Sequence, residues 1–145
     1  MKIDIKLDKG AIMPTKAHPS DAAFDLYAQK LAYGWNCRCI GSKESLLIET
    51  GVSMAIPDGY CGIIKSRSGL SVKNGVDIGA GVIDSGYRGE IKVLLRNQGG
   101  SEVVIENADR IAQLMIVPVP QVEFNQVDEL DEADRGDNGF GSSGK

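Results

Sequence analysis

Ser45-Leu-Leu-Ile-Glu-Thr-Gly51-Val-Ser-Met-Ala-Ile-Pro57-Asp-Gly59-Tyr-Cys-Gly-Ile-Ile-Lys65 is the stretch that decides the fold. Three short runs rich in Val, Ile and Leu are cut at Gly51 and at Pro57-Asp-Gly59, which is the rhythm of strands and turns. The runs give strands over Ser45–Glu49, Val52–Ile56 and Tyr60–Lys65. The same pattern predicts strands over Ile3–Leu7, Glu90–Arg96, Glu102–Ile105 and Ile111–Val119. No long segment sustains a 3.6-residue apolar period. The best helical candidate is a single turn near Ser68–Lys73, closed by the turn dipeptide Asn74-Gly75. An all-β sandwich or barrel is therefore expected.

A chain of 145 residues is long enough for one domain with a real core and too short for two of ordinary size. With 42% hydrophobic and 25% charged residues the composition is that of a soluble globular protein, and no apolar run reaches membrane-spanning length. The opening Met1-Lys-Ile-Asp-Ile-Lys-Leu7 lacks the apolar core of a secretory signal, so an intracellular, cytoplasmic location is the default expectation. A net charge of −4 offers no basic field to a nucleic-acid duplex. A small polyanion can still be held by a few local arginines and a divalent cation.

Cys37, Cys39 and Cys61 lack a second Cys or His pair at zinc-finger spacing, which favours free thiols in a reducing compartment. The only histidine, His18, excludes any mechanism that needs two, and a metal site would have to be built from oxygen ligands. From Asp128 the character changes: five acids between Asp128 and Asp134 precede a glycine- and serine-rich end with hardly any aliphatic content. Residues 1–127 read as the folded domain, and 128–145 as a tail that cannot offset its own ordering entropy.

The tail holds two familiar strings, G-x-G-x-x-G over Gly139–Gly144 and G-x-x-x-x-G-K over Gly139–Lys145. Both work only between a strand and a helix, and no helix follows here. A flap is the better functional reading, with Arg135 as a charge clamp and Phe140 as an aromatic lid, although a floppy tail outranks the motif matches. Ser66-Arg67-Ser68-Gly69 opens the single helical turn with hydroxyls, a guanidinium and amides suited to an anion, or is simply a capped polar turn. Asp84 lies among four glycines and Tyr87 in Gly79–Gly89, either as a positioned carboxylate or as a surface residue of a glycine-rich hairpin. Asp25, inside the strand-like Ala22–Tyr27, reads on its own as an acid satisfied by backbone amides.

Taken as an ordered set, these stretches resemble the five motifs of the homotrimeric deoxyuridine triphosphatases, the dUTP pyrophosphatases. The motifs are Ala22-Ala-Phe-Asp25-Leu-Tyr-Ala28; Pro57-Asp-Gly59-Tyr-Cys-Gly62-Ile-Ile-Lys-Ser-Arg67-Ser68-Gly69-Leu70; Gly81-Val-Ile-Asp84-Ser-Gly-Tyr87-Arg-Gly89; Asp109-Arg110-Ile-Ala-Gln113-Leu114; and Arg135-Gly136-Asp-Asn-Gly139-Phe140-Gly141-Ser-Ser-Gly144. Order and spacing fit over nearly the whole chain. Gly86 departs from the pattern where many members carry a second aspartate, and Ser143 where threonine is usual. Trp35–Cys39 matches no motif.

The resemblance implies a distorted jelly-roll-like β-barrel in a homotrimer with shared sites, hydrolysing dUTP to dUMP and pyrophosphate with Mg²⁺. It places Asp84 as the base that deprotonates water and Gln113 as a residue that positions it. Arg67, Ser68, Gly69 and Arg135 would hold phosphates, and backbone groups of Gly81, Val82 and Ile83 would read the uracil edge. Tyr87 would pack on the deoxyribose, with Gly86 permitting the bend that lets it share a ligand with Asp84. Phe140 would stack on the base, Lys92 and Gly141 join the substrate contacts, and Asp25 would touch the metal only through water. The related dCTP deaminases place a catalytic glutamate where Leu94 stands here, which argues against deamination. A nucleotide-switched binding module keeps the same motifs, and a purely structural jelly roll leaves them unexplained.

Overall fold

A computed structural model describes residues 1–29, 37–134 and 136. The strands are β1 Asp4–Leu7, β2 Phe24–Tyr27, β3 Cys37–Ile40, β4 Ser45–Ala55, β5 Tyr60–Lys65, β6 Val76–Gly79, β7 Val82–Ile83, β8 Ile91–Asn97, β9 Val103–Glu106 and β10 Arg110–Pro118, with one helix, α1 Ser68–Asn74. Two four-stranded antiparallel sheets, in the orders β1-β4-β8-β6 and β2-β10-β5-β7, are accompanied by the two-stranded β3-β9. This is the all-β, jelly-roll-like architecture expected from the sequence. Among the described residues no helix is long and apolar enough to cross a membrane.

Alternation explains the layers. In β8 Ile91, Val93 and Leu95 are buried while Lys92 and Arg96 face out, and β9 repeats the pattern with Val103 and Ile105. One apolar core draws Ile48, Val52 and Ile91 from the first sheet and Leu26, Ile64 and Leu114 from the second. Each such side chain contributes about 1.5–3 kcal/mol through removal from water. Asn97, fully buried at the end of β8, donates to the carbonyls of Ile40, Gly41 and Ser101 and accepts from the Gly99 amide, which ties β3 to the β8–β9 turn.

Two features differ from the sequence reading. Ser45–Glu49 and Val52–Ile56 are one strand, β4, carried through an irregularity at Thr50-Gly51 where the register with β8 shifts. The bulge is held by side chains: Thr50 Oγ1 donates to Ile91 O at 2.6 Å, and the Gly51 amide donates to Glu90 Oε1 at 2.8 Å. The strands β3, β6 and β7 were not predicted, because two to four residues, in β3 and β6 carrying Arg38 or Asp77, are too short or too polar to stand out. The cysteines are free, Cys37 and Cys39 being exposed on β3. The Cys39 thiol pKa is raised, first by desolvation and then by the neighbouring Glu102 charge and Cys37.

Candidate active site

The second sheet builds one cleft by register. Gln113 of β10 is the Cα partner of Asp25 on β2 and of Lys65 on β5, so three polar residues share one row. Beyond Lys65 the chain turns at Ser66-Arg67, where Arg67 is the extended N-cap residue of α1 and no side chain caps the helix. Ser68 and Gly69 thus begin α1 at the mouth of a cleft of about 620 Å³, lined also by Asp25, Lys65, Arg67, Arg110 and Gln113.

Asp25 organises this cleft. It accepts from Arg67 Nε at 2.9 Å and from Arg110 Nη1 at 3.3 Å, and its side chain is only 15% exposed. The reading of Asp25 as an acid satisfied by backbone amides is therefore corrected: guanidinium groups satisfy it. Arg67 Nη1 also donates to Arg110 O at 3.3 Å, and Gln113 Nε2 donates to Ser66 O at 2.9 Å, which fixes the turn. The result is a polar concavity with two preoriented guanidiniums, suited to an anion of several charges.

A second, separate cleft of about 300 Å³ is lined by Leu47, Val82, Ile83, Asp84, Tyr87, Glu90 and Lys92. Its floor comes from the passage between the sheets. After β6 the chain leaves the first sheet through Ala80 and Gly81, at φ of 58° and 116°, and joins the second as β7. A Cβ at Gly81 would stand 2.9 Å from Ile64 O, and Ile64 N donates to Gly81 O at 2.7 Å, so glycine is required here. The strand β7 is the edge of its sheet, paired only with β5.

Asp84 and Tyr87 do share a concavity, through a turn closed by the Tyr87 amide on Asp84 O at 3.1 Å. Gly86 is not what permits it: its φ is not positive, and an added Cβ would meet nothing within 4 Å. The segment is also not a self-contained hairpin, since β6 pairs with β8 and β7 with β5. Tyr87 Oη donates to Glu90 O at 2.9 Å, leaving the ring 45% exposed along the cleft. The Lys92 ammonium lies 3.4 Å from Glu49 and 3.7 Å from Glu90, so carboxylates already surround its charge.

Of the expected site residues, Asp25, Arg67, Ser68, Gly69 and Gln113 meet in the first cleft, and Val82, Ile83, Asp84, Tyr87 and Lys92 in the second. Asp84 and Gln113, expected to act on one water, line different clefts of the chain. Arg135, Phe140 and Gly141 lie outside the described residues. Sequence reasoning missed Lys65 and Arg110 as lining residues: they stood in the second and fourth motifs without an assigned role, and the strand register is what brings Lys65 into the row with Gln113 and Asp25. Among the described residues no group of three or more His, Cys, Asp or Glu could hold a metal. The described donors would suit an ion carried largely by water and ligand phosphates, as Mg²⁺ commonly is.

A family model described as dUTPase matches residues 9–144. The deoxyuridine 5'-triphosphate nucleotidohydrolase of Gloeobacter violaceus is 42% identical over 134 residues, covering 91% of this chain and 88% of its own. That of Tropheryma whipplei strain Twist is 43% identical over 142 residues, covering 96% and 93%. Among solved structures, a Staphylococcus bacteriophage 80alpha dUTPase variant with dUpNHpp superposes with a TM-score of 0.89 at 31% identity, covering 99% of both chains. A variant of the phage phi11 dUTPase of S. aureus, whose structure details coordination of a structural Mg(II) ion, gives 0.78 at 28% identity, covering 89% of this chain and 98% of its own. Sequence similarity over almost the full length, the shared fold and the clefts built from the motif residues agree, and the chain belongs to the dUTPase family of hydrolases.

Proposed function

We propose that the chain hydrolyses dUTP to dUMP and pyrophosphate, in a homotrimer whose active sites each join the first cleft of one copy to the second cleft of another. The observation that carries this is the separation of the clefts: the cations suited to phosphate and the free carboxylate suited to a base lie in different concavities. Residues 119–134 add support, since they form no strand or helix and expose Val122, Phe124 and Leu130, apolar surface that a second copy would cover. Family membership supports the substrate and the assembly.

In this reading Arg67, Ser68 and Gly69 bind the phosphate chain, with Asp25 holding Arg67 in place. Asp84 accepts a proton from water as its oxygen bonds to the α-phosphorus and the bond to the α,β-bridging oxygen breaks. Gln113 positions that water, and Ser68 stabilises charge on the leaving oxygen. The unpaired edge of β7 offers backbone groups of Gly81, Val82 and Ile83 to the uracil edge as a strand pairs with a strand, which mismatches cytosine. Tyr87 packs on the deoxyribose, and Lys92 lies beside it. Arg135 reaches the terminal phosphate, with Phe140 and Gly141 closing over the base. Asp25 would hold Mg²⁺ through water, and the ion would supply charge neutralisation to the phosphates. The reaction limits uracil entry into DNA and supplies dUMP for thymidylate synthesis.

Complementation tests the shared site. Asp84→Asn retains the phosphate cleft and Arg67→Met retains the base, so each variant alone should be nearly inactive. Refolded together in equal amounts, they should recover about one quarter of wild-type turnover, the chance that a site draws an intact half from each neighbour. No recovery in mixed trimers confirmed by mass would overturn the proposal.

A further inference from the structure

In the Asp25–Gln113–Lys65 row, residues directly opposite in an antiparallel pair project to the same face, and all three line the first cleft. Two are engaged: Asp25 with Arg67 and Arg110, Gln113 with Ser66 O. Lys65 differs. It is exposed at the end of β5, and among the described residues its ammonium makes no ion pair or hydrogen bond. The nearby carboxylates do not claim it: Asp25 is committed to the arginines, and Asp21 accepts the His18 amide at 2.8 Å. A lysine without a protein partner in a concave site beside Arg67 leaves its charge for a ligand.

We propose that Lys65 is a further substrate-binding residue, its ammonium contacting the phosphate chain and setting how steeply affinity rises with phosphate number. This rests on reading the first cleft as the phosphate site. An ammonium is a mobile point charge without the planar fork of Arg67, so it adds attraction with little directional control. Its contribution falls mainly on binding rather than on the bond-breaking step, and salt screens it. Lys65 falls within the second motif stretch, but the resemblance gives it no role, and only the strand register places it in the cleft.

The test compares wild type with Lys65→Met and Lys65→Arg, measuring steady-state dUTP hydrolysis and the affinities of dUpNHpp, dUDP and dUMP. Lys65→Met should raise KM about tenfold, the effect of losing one exposed charge-assisted contact, with a smaller change in kcat. The affinity loss should be largest for dUpNHpp, intermediate for dUDP and least for dUMP. It should shrink as salt is raised, and Lys65→Arg should restore most of it. Equal losses for the three ligands, or unchanged dUpNHpp affinity while Arg67→Met abolishes binding, would overturn the role of Lys65 alone. If wild type binds dUpNHpp no better than dUMP, the reading of the cleft falls, and Lys65 with it.

Discussion

Gly81→Ala should strike both stability and base recognition. At φ of 116° an alanine occupies a region that L side chains rarely adopt, which costs on the order of 1–3 kcal/mol. Its Cβ would also stand 2.9 Å from Ile64 O, so the backbone must move by several tenths of an ångström. That movement pulls on the 2.7 Å bond from Ile64 N to Gly81 O, worth about 1 kcal/mol net. A total near 3 kcal/mol, at about 2–4 °C per kcal/mol for a domain of this size, lowers Tm by roughly 6–12 °C. The shift reaches β7, which is held to β5 by only the Gly62↔Ile83 and Ile63↔Val82 pairs, so selectivity for dUTP over dCTP should fall as well. Gly86→Ala is the control, because its Cβ meets nothing within 4 Å at an ordinary φ. Calorimetry of both variants, with kcat/KM for each nucleotide, checks the reasoning. A Gly81→Ala protein melting within about 2 °C of wild type with intact base selectivity would refute it, since the assumed strain exceeds that shift several-fold.

Tyr87→Ala should narrow the preference for dUTP over UTP, by an amount on the order of 10²-fold at most, while leaving dUTP over dCTP largely intact; kcat/KM for the three nucleotides decides it. Asp25→Asn removes the negative charge and one of the two oxygens that accept from Arg67 and Arg110, and with these groups partly exposed the stability loss should be about 1–2 kcal/mol, read by denaturant titration, accompanied by a raised KM. Cutting the chain after Asp134 should leave Tm nearly unchanged and depress turnover strongly. Phe140→Ala should do part of that damage through lost stacking, roughly 1–3 kcal/mol in substrate affinity measured by titration.

The fold was legible where burial writes itself into alternation. Strands such as β5, β8 and β10 carry enough Val, Ile and Leu at the right period to be read directly. The junction in β4 was not, because Gly51 looks like a terminator in sequence and is instead a bulge held by Thr50 and Glu90 from within the sheet. Short strands such as β6 owe their existence to a partner, β8, rather than to their own composition. The motif stretches were ambiguous one by one and legible only as an ordered set, and the division between two clefts was not legible at all. Which residues share a cleft depends on register: a slip of one residue in β10 would turn Gln113 away from Asp25 and Lys65.

The division has a chemical rationale. Arg67 and Arg110 converge on Asp25, the carboxylate within their reach, and bind it. A second carboxylate in the same cleft would compete for these guanidiniums, and one so paired is a poorer proton acceptor because the charged form is favoured. Asp84 avoids this capture: among the described residues it is exposed and makes no ion pair. In the proposed assembly a neighbouring copy brings Asp84 to the phosphate cleft, where bound phosphates already occupy the arginines. The base then meets water beside a neutralised phosphate chain rather than a bare guanidinium. In that assembly, separation within the chain would keep the carboxylate available and would make activity depend on association by mass action as well as on folding.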